Sequence, residues 1–267
     1  MKANNKIVFS NILNFNRSTM DRWSNKTAVV TGASSGIGAA CVVDLVKAGM
    51  NVAALARREN RLNEVKNSLP EELRSKVYPI KCDVSDEADV IRAFRWVDEH
   101  LGGTHVLVNN AGISRSTQLT KKDNTRDIKD VLDTNVMGVV YCVREAFQQM
   151  LERKVDGHVV IVNSIAGHTI PYIPGGSFNI YAASKHAVTA MTETYRQEFS
   201  NAGTNVKVTS ISPGVVDTEI VPEDFKKAAN PPMLKAEDIS NAIVYCVSTP
   251  PNVQIHELTI KPLHEKF

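Results

Sequence analysis

The chain has 267 residues, 31 Lys+Arg against 29 Asp+Glu, 43% apolar residues and four cysteines. A net charge of +2 with ordinary apolar content excludes a disordered chain and gives no footprint for nucleic acid. No stretch approaches the ~20 apolar residues of a membrane-spanning helix, and Cys41, Cys82, Cys142 and Cys246 fit neither a disulfide framework nor a metal site but suit a reducing, cytoplasmic setting.

Residues 1–19 carry Lys2, Lys6 and Arg17 and no acidic residue. Their single arginine is a poor match to a transit peptide, and Ser10 and Asn11 interrupt the apolar run a secretory signal needs. The segment is read as a disordered extension, or as translation from a start upstream of Met20, with one domain over 20–267. From there short β-branched runs alternate with helical patterns. Strands are predicted at 27–31, 51–56, 77–81, 105–109, 158–163, 207–211 and 254–260. Helices are predicted at 36–48, 59–69, 87–101, 126–152, 180–202 and 235–248. This alternation implies a single α/β domain, a doubly wound parallel sheet of about seven strands with helices on both faces. The runs lack the polar alternation of a half-exposed sheet, which agrees. Two Pro-rich segments, 171–176 and 222–232, follow strands at the carboxyl edge, where such sheets bind ligands.

Thr31-Gly32-Ala33-Ser34-Ser35-Gly36-Ile37-Gly38 joins the first strand to its helix. Gly32 permits a tight turn, Gly36 a close backbone approach to a pyrophosphate, and Gly38 close packing of helix on strand. The helix amino terminus then offers free N–H groups to the anion. Ser34, Ser35 and Ile37 fall in the same cofactor-contacting loop. The spacing is G-x-x-x-G-x-G rather than G-x-G-x-x-G. At the end of the second strand a ribose-binding acid is expected ~20 residues on, but the chain reads Ala54-Leu55-Ala56-Arg57-Arg58. Guanidinium groups match phosphate geometry. NADP(H) is therefore expected over NAD(H), with Arg57, and Arg58 beside it, on the 2′-phosphate.

Tyr181 and Lys185 share one helix face at i, i+4. A tyrosine of ordinary pKa near ~10 is a poor base at neutral pH. A neighbouring ammonium is expected to lower it, making the pair a proton donor and acceptor for an alcohol/carbonyl couple. Ser164, at the end of the fifth strand, supplies a hydroxyl on the same sheet edge, with Ser177 as the fallback. A carbonyl oxygen held between Ser164 and Tyr181 is polarised for hydride attack.

With these motifs in order the chain resembles the short-chain dehydrogenase/reductase family over about residues 24–262. The resemblance rests on TGASSGIG at 31–38, Asp83-Val84, Asn109-Asn110-Ala111-Gly112, Asn135, Ser164, Tyr181-x-x-x-Lys185, and Pro213-Gly214 with Thr218. It implies a Rossmann fold. It implies Tyr181 as acid/base, and Lys185 both lowering its pKa and holding the nicotinamide ribose. Ser164 would orient the substrate oxygen, and Asn135 would hold a water in a proton relay or brace the helix. Asp83 and Val84 would contact adenine, and Asn110 and Gly112 would line the cofactor cleft above a structural Asn109. Ile211, Pro213, Gly214 and Thr218 would lie about the nicotinamide. Sixteen residues separate Ser164 from Tyr181, a few more than the family's usual spacing, and the surplus falls in 171–178.

Several segments, among them Met20-Asp21-Arg22-Trp23, 163–168, 212–218 and 247–251, resemble a narrower group within the family. It contains insect farnesol dehydrogenases and a related vertebrate enzyme acting on keto-steroids. The resemblance implies NADP-dependent oxidation of a lipophilic alcohol such as farnesol, or reduction of a steroid or other bulky ketone. A dinucleotide-binding sensor without chemistry is the reading from a different class. Ile165, Ile170, Tyr172, Ile173, Phe178, Val215, Ile220 and Val221 are expected to line an apolar pocket. His168 is expected to satisfy loop backbone groups rather than touch substrate. A homodimer through the helices at 126–152 and 180–202 is implied, with the tail after Ile260 as a candidate tetramer contact.

Overall fold

The computed structural model describes residues 20–170, 172, 177–229 and 231–265. The proposed extension at 1–19 therefore lies outside the described residues. β1 (Thr27–Thr31) leads to α1 (Gly36–Lys47), β2 (Asn51–Ala56) to α2 (Glu59–Ser68), and β3 (Val77–Lys81) to α3 (Glu87–Leu101). β4 (Val106–Asn109) is followed by α4 (Thr125–Leu132) and α5 (Gly138–Glu152), and β5 (His158–Val162) by α6 (Asn179–Asn201). After β6 (Lys207–Pro213) come α7 (Glu223–Ala229), α8 (Ala236–Ser248) and β7 (Glu257–Ile260). Neighbouring strands pair in parallel in the order β3-β2-β1-β4-β5-β6-β7. This is the seven-stranded doubly wound sheet that the alternation predicts.

The strand composition follows from burial. β1, β4, β5 and β6 are buried at every position, so both faces demand apolar side chains. Successive residues feed opposite layers. Ala28, Val30, Val106 and Val108 join Leu45, Ile239 and Ile243 in one core, under α1 and α8. Val29 and Leu107 join Phe94, Val143 and Phe199 in the other, under α3, α5 and α6. Met20 and Trp23 belong to the first core, and the Trp23 indole N–H donates to the Val247 carbonyl. Pro79 sits on β3, an edge strand, where its missing N–H costs no internal ladder bond.

Two predicted elements are revised, and two short helices appear where none was predicted. The helix predicted over 126–152 is broken by a π-turn at Asp133–Met137, which separates α4 from α5. Its apolar face is spent largely on its own sheet, with Val131, Val139 and Val143 all buried. The strand predicted from residue 254 starts at Glu257, because the Gln254 side chain, not a strand carbonyl, accepts the Val208 N–H. The Pro-rich segment at 222–232 contains α7, with Glu223 and Asp224 in its first turn and Lys226 and Lys227 in its last, each suited to the helix dipole. A short helical turn also covers Glu71–Arg74.

One buried polar tie fixes α5 to the start of β4. The Gln149 carbonyl accepts from the Thr104 N–H at 3.0 Å and hydroxyl at 2.8 Å, while its amide donates to the Phe94 carbonyl at 2.8 Å. Leucine keeps the volume of glutamine but strands three buried polar groups. Gln149→Leu is predicted to destabilise the fold by about 2–3 kcal/mol, the range for unsatisfied buried partners. Denaturant unfolding checks this, and a loss below ~0.5 kcal/mol would show that the tie is dispensable.

Candidate active site

Where the strand order reverses, between β1 and β4, the chain opens at the carboxyl edge into a cavity of about 980 Å³. In open α/β sheets ligands bind at such a topological switch point. The floor is set by Thr31. Its hydroxyl accepts the N–H groups of Asn110 and Ala111, both at 3.0 Å, and donates to Asn109 Oδ1 at 3.3 Å. Asn110 Nδ2 returns a bond of 2.9 Å to the Thr31 carbonyl, and Asn109 Nδ2 reaches the Val139 carbonyl. Asn109 is buried beneath the cavity, as expected of a structural residue.

The glycine loop needs its glycines for two reasons. Gly32 (φ 65°) and Gly36 (φ 53°) are left-handed. A Cβ on Gly38 would come within 2.4 Å of the Gly32 carbonyl oxygen, so the helix could not pack this close to the turn. Gly32, Ser34, Ser35, Gly36 and Ile37 line the cavity, whereas Gly38 lies behind it. Arg58 closes the loop from the side. Its Nε and Nη2 donate to Ser34 Oγ at 3.2 and 3.1 Å, and Nη2 also to Ser35 Oγ at 2.8 Å. Arg57 also lines the cavity, with Nη1 3.9 Å from the Asp83 carboxylate. Asp83 and Val84 line the cavity beside it, with Asn110, Gly112, Pro213, Gly214 and Thr218 on the remaining walls.

The donor set fits a dinucleotide. A left-handed glycine loop at a helix amino terminus presents N–H groups to a diphosphate, and Arg58 with two serine hydroxyls forms a cationic notch at its flank. These residues would hold the phosphates, with Asp83 and Val84 near the adenine and Lys185 and Tyr181 near the nicotinamide ribose.

The residues the sequence singles out for proton chemistry share this cavity. Ser164, Tyr181 and Lys185 all line the cavity. The Ser164 hydroxyl lies near enough to the Tyr181 phenol to favour its ionised form, and Ser164 Oγ accepts the Ala166 N–H at 3.1 Å. Ser177, the fallback, also lines the cavity but is exposed and lies off the strand. Lys185 is buried, its Nζ 2.9 Å from the Val162 carbonyl and 5.8 Å from the Tyr181 ring centroid. Burial brings the Lys185 amine down to about 8. Burial also pushes the Tyr181 phenol above its ordinary value, with the Ser164 hydroxyl opposing it. The direction runs against the sequence expectation of a lowered tyrosine: desolvation outweighs the Ser164 hydroxyl, and the phenol keeps its proton.

Asn135 occupies the π-turn. Its Oδ1 accepts the Ile113 N–H at 2.8 Å, and its Nδ2 donates to the Ile113 carbonyl at 2.9 Å and to Ser184 Oγ at 3.1 Å. Ser184 in turn donates to the Tyr181 carbonyl at 2.7 Å. Both amide hydrogens are therefore used, one on the segment after β4 and one on the tyrosine helix, and one lone pair of Oδ1 remains for a water.

Several residues fall differently from expectation. Ile165, Phe178, Val215, Ile220 and Val221 line the cavity as expected. Ile170 and Tyr172 do not, being 67% and 84% exposed, and Ile173 lies outside the described residues. Ile211 is wholly buried in the core. His168 faces away, with Nε2 2.9 Å from Ser212 Oγ and 3.5 Å from Glu257, so it stitches the loop to β6 and β7. A Cβ on Gly214 would meet Glu265 of the tail at 2.0 Å, so this glycine makes room for a carboxylate as well as walling the cavity. Arg115, Lys121 and Glu219 line the cavity unforeseen. The signal for the first two was available: they follow β4 at the ligand edge, just beyond Gly112.

The short chain dehydrogenase family profile matches residues 26–229. The farnesol dehydrogenase of Aedes aegypti is 56% identical, covering 93% of this chain and 100% of its own length. Dehydrogenase/reductase SDR family member 11 of Homo sapiens is 38% identical, covering 93% and 98%. Among solved structures, a short-chain type dehydrogenase/reductase from Mycobacterium marinum superposes with a TM-score of 0.80 at 27% identity, covering 90% of this chain and 95% of its own. A serine dehydrogenase complexed with NADP+ also gives 0.80, at 30% identity with 90% and 96% covered. With the profile, the relatives and the solved folds in agreement, the chain belongs to the short chain dehydrogenase family of oxidoreductases.

Proposed function

We propose that this protein is an NADP(H)-dependent dehydrogenase/reductase of lipophilic alcohols, with farnesol to farnesal as the reaction to test first. The observation that carries it is the convergence of Ser164, Tyr181 and Lys185 on one cavity that also bears the Arg58 notch. The 56% identity to a farnesol dehydrogenase supports the substrate, and the absence of a carboxylate at the end of β2 supports the phosphorylated cofactor. Assembly as a homodimer through α4, α5 and α6 accords with Val136 and Val140, which stay half-buried on the chain, and Met137, which is exposed. The tail after Ile260, where Leu263 is 83% exposed, is the candidate for a further contact. Four unpaired, buried cysteines suit the cytoplasm. Among the described residues no helix is long and apolar enough to cross a membrane.

The bound nicotinamide would supply or accept the hydride. The chain's own residues handle the proton and the oxygen. Ser164 donates to the substrate oxygen and keeps it beside Tyr181. In reduction Tyr181 gives its phenolic proton to the developing alkoxide, a role suited to a phenol that burial holds protonated. Lys185, when charged, stabilises the phenolate left behind, and the Ser184–Asn135 brace holds the helix in place. Oxidation runs the same proton back from alcohol to phenolate.

Initial rates at the NADPH absorbance band, with farnesol and other lipophilic alcohols, test the reading directly. Tyr181→Phe is predicted to lower kcat by about 10²–10⁴-fold, the usual worth of a positioned acid/base, with NADPH affinity nearly intact. No turnover of any alcohol, but reduction of steroid ketones with NADPH, would move the substrate to the bulky ketones; silence in both directions would favour a sensor. Arg58→Ala should weaken NADPH binding by about 10–100-fold, as for a lost charged hydrogen bond, and NADH binding little. Arg57→Ala should cost less, since Arg57 faces Asp83; equal losses for both nucleotides would refute the 2′-phosphate assignment. For reduction, kcat/KM should hold below pH of about 8 and fall above it, because Lys185 loses its charge there while Tyr181 keeps its proton. A profile flat to pH ~10 would remove Lys185 from this role.

A further inference from the structure

The Arg58 notch already holds an anion belonging to the chain. Glu219 lies one residue beyond Thr218, on the loop between β6 and α7. Its Oε2 pairs with Arg58 Nη1 at 2.8 Å and accepts from Ser35 Oγ at 3.2 Å, and its Oε1 pairs with Arg61 Nη1 at 3.3 Å. Both carboxylate oxygens are thus taken by groups from the opposite bank of the cleft, 158 to 184 residues away in sequence. The Arg58 hydrogen bond holds the Glu219 carboxyl below its ordinary value, so it is anionic at neutral pH. Thr218 anchors the segment, with its methyl 2.9 Å from where a Cβ on Gly36 would stand.

We propose that Glu219 is an internal competitor for the 2′-phosphate of the cofactor, occupying a cradle made by Ser35, Arg58 and Arg61, and that it sets how strongly the enzyme prefers the phosphorylated dinucleotide. This rests on the reading of the cofactor as NADP(H). The chemistry of the cradle is that of an anion site: two guanidinium groups and the Ser35 hydroxyl converge on the carboxylate oxygens, while Ser34 Oγ accepts from Arg58 and steadies it. A carboxylate offers one charge and two oxygens, whereas a phosphate monoester offers ~1.5–2 charges and three terminal oxygens. The phosphate therefore wins the exchange, but only after breaking the Arg58–Glu219 pair. A nucleotide without the 2′-phosphate has nothing to offer these groups and leaves the pair in place. Arg61 thereby becomes a specificity residue, one turn along α2 from Arg57 and Arg58.

The test uses the full chain and two nucleotides that differ only in the contested group, adenosine 2′,5′-bisphosphate and 5′-AMP, titrated by calorimetry. Exposed ion pairs are weak, so Glu219→Gln is expected to tighten the bisphosphate by about three- to tenfold and leave 5′-AMP within about twofold. Arg61→Ala should weaken the bisphosphate alone, which keeps the question decidable if the glutamine variant fails to fold. Unchanged or weaker binding of the bisphosphate by Glu219→Gln would overturn competition and make Glu219 a brace. Equal tightening of both nucleotides would also overturn it, as a general charge effect. If the unmutated protein itself does not distinguish the two nucleotides, the NADP(H) reading fails and the inference with it. That failure shows in the wild type, so the two cannot be confused.

Discussion

Everything about the site depends on one hydroxyl. Thr31 Oγ1 receives two backbone N–H groups from the end of β4 and gives its own hydrogen to Asn109, so it pins together the two strands that run to opposite sides of the sheet. At a reversal of strand order the crossovers leave in opposite directions and a crevice opens by necessity. What topology does not supply is a fixed width. The Thr31 tie, the Asn110 bond back to its carbonyl and the close approach of Gly38 to Gly32 supply it. The glycine loop, the Arg58 notch and the tyrosine helix are all measured from that junction.

The reacting end obeys a second constraint, desolvation. Tyr181 and Lys185 are drawn into a low-dielectric wall, and burial moves each toward its neutral form: the phenol up, the amine down. At about 8 the amine is still mostly cationic at neutral pH, ready to stabilise a negative group that forms nearby. A tyrosine that begins neutral and a lysine that is cationic below about 8 divide the labour of moving one proton. The buried network through Ser184 and Asn135 keeps them in register without adding a competing charge. The four main polar bonds of that network join α6, the π-turn and the segment after β4, so a shift in any one would be felt at the phenol.

Much of this was legible in the chain. Buried parallel strands demand β-branched runs, and β1, β2 and β3 begin and end where those runs do. The glycines, Ser164, Tyr181 and Lys185 were visible because their chemistry requires particular residues at particular spacings. Other features leave no such mark. The π-turn at Asp133–Met137 carries ordinary helical residues, and its extra residue is absorbed by the Asn135 bonds to a distant loop, which no local pattern records. The roles of Arg57 and Arg58 are not separable in the sequence, because their side-chain partners, Asp83 for one and Ser34, Ser35 and Glu219 for the other, are remote along the chain. The same remoteness hides the part Glu219 plays. The direction of the tyrosine's titration is hidden for a related reason: spacing shows that a cation is near, but not how much water has been removed.

The four cysteines add a consequence of a different kind. Cys41 and Cys246 sit in the layer under α1 and α8, and Cys82 and Cys142 in the layer under α3, α5 and α6. Burial lifts three of the thiols to about 12 and Cys142 well above its ordinary value. Because the thiolate is the reactive form, none can be alkylated while its layer stays closed. The molecule thus carries two chemically silent reporters on each side of the sheet. Their labelling rates count how often each side opens, and a difference between the pairs would show which face loosens first.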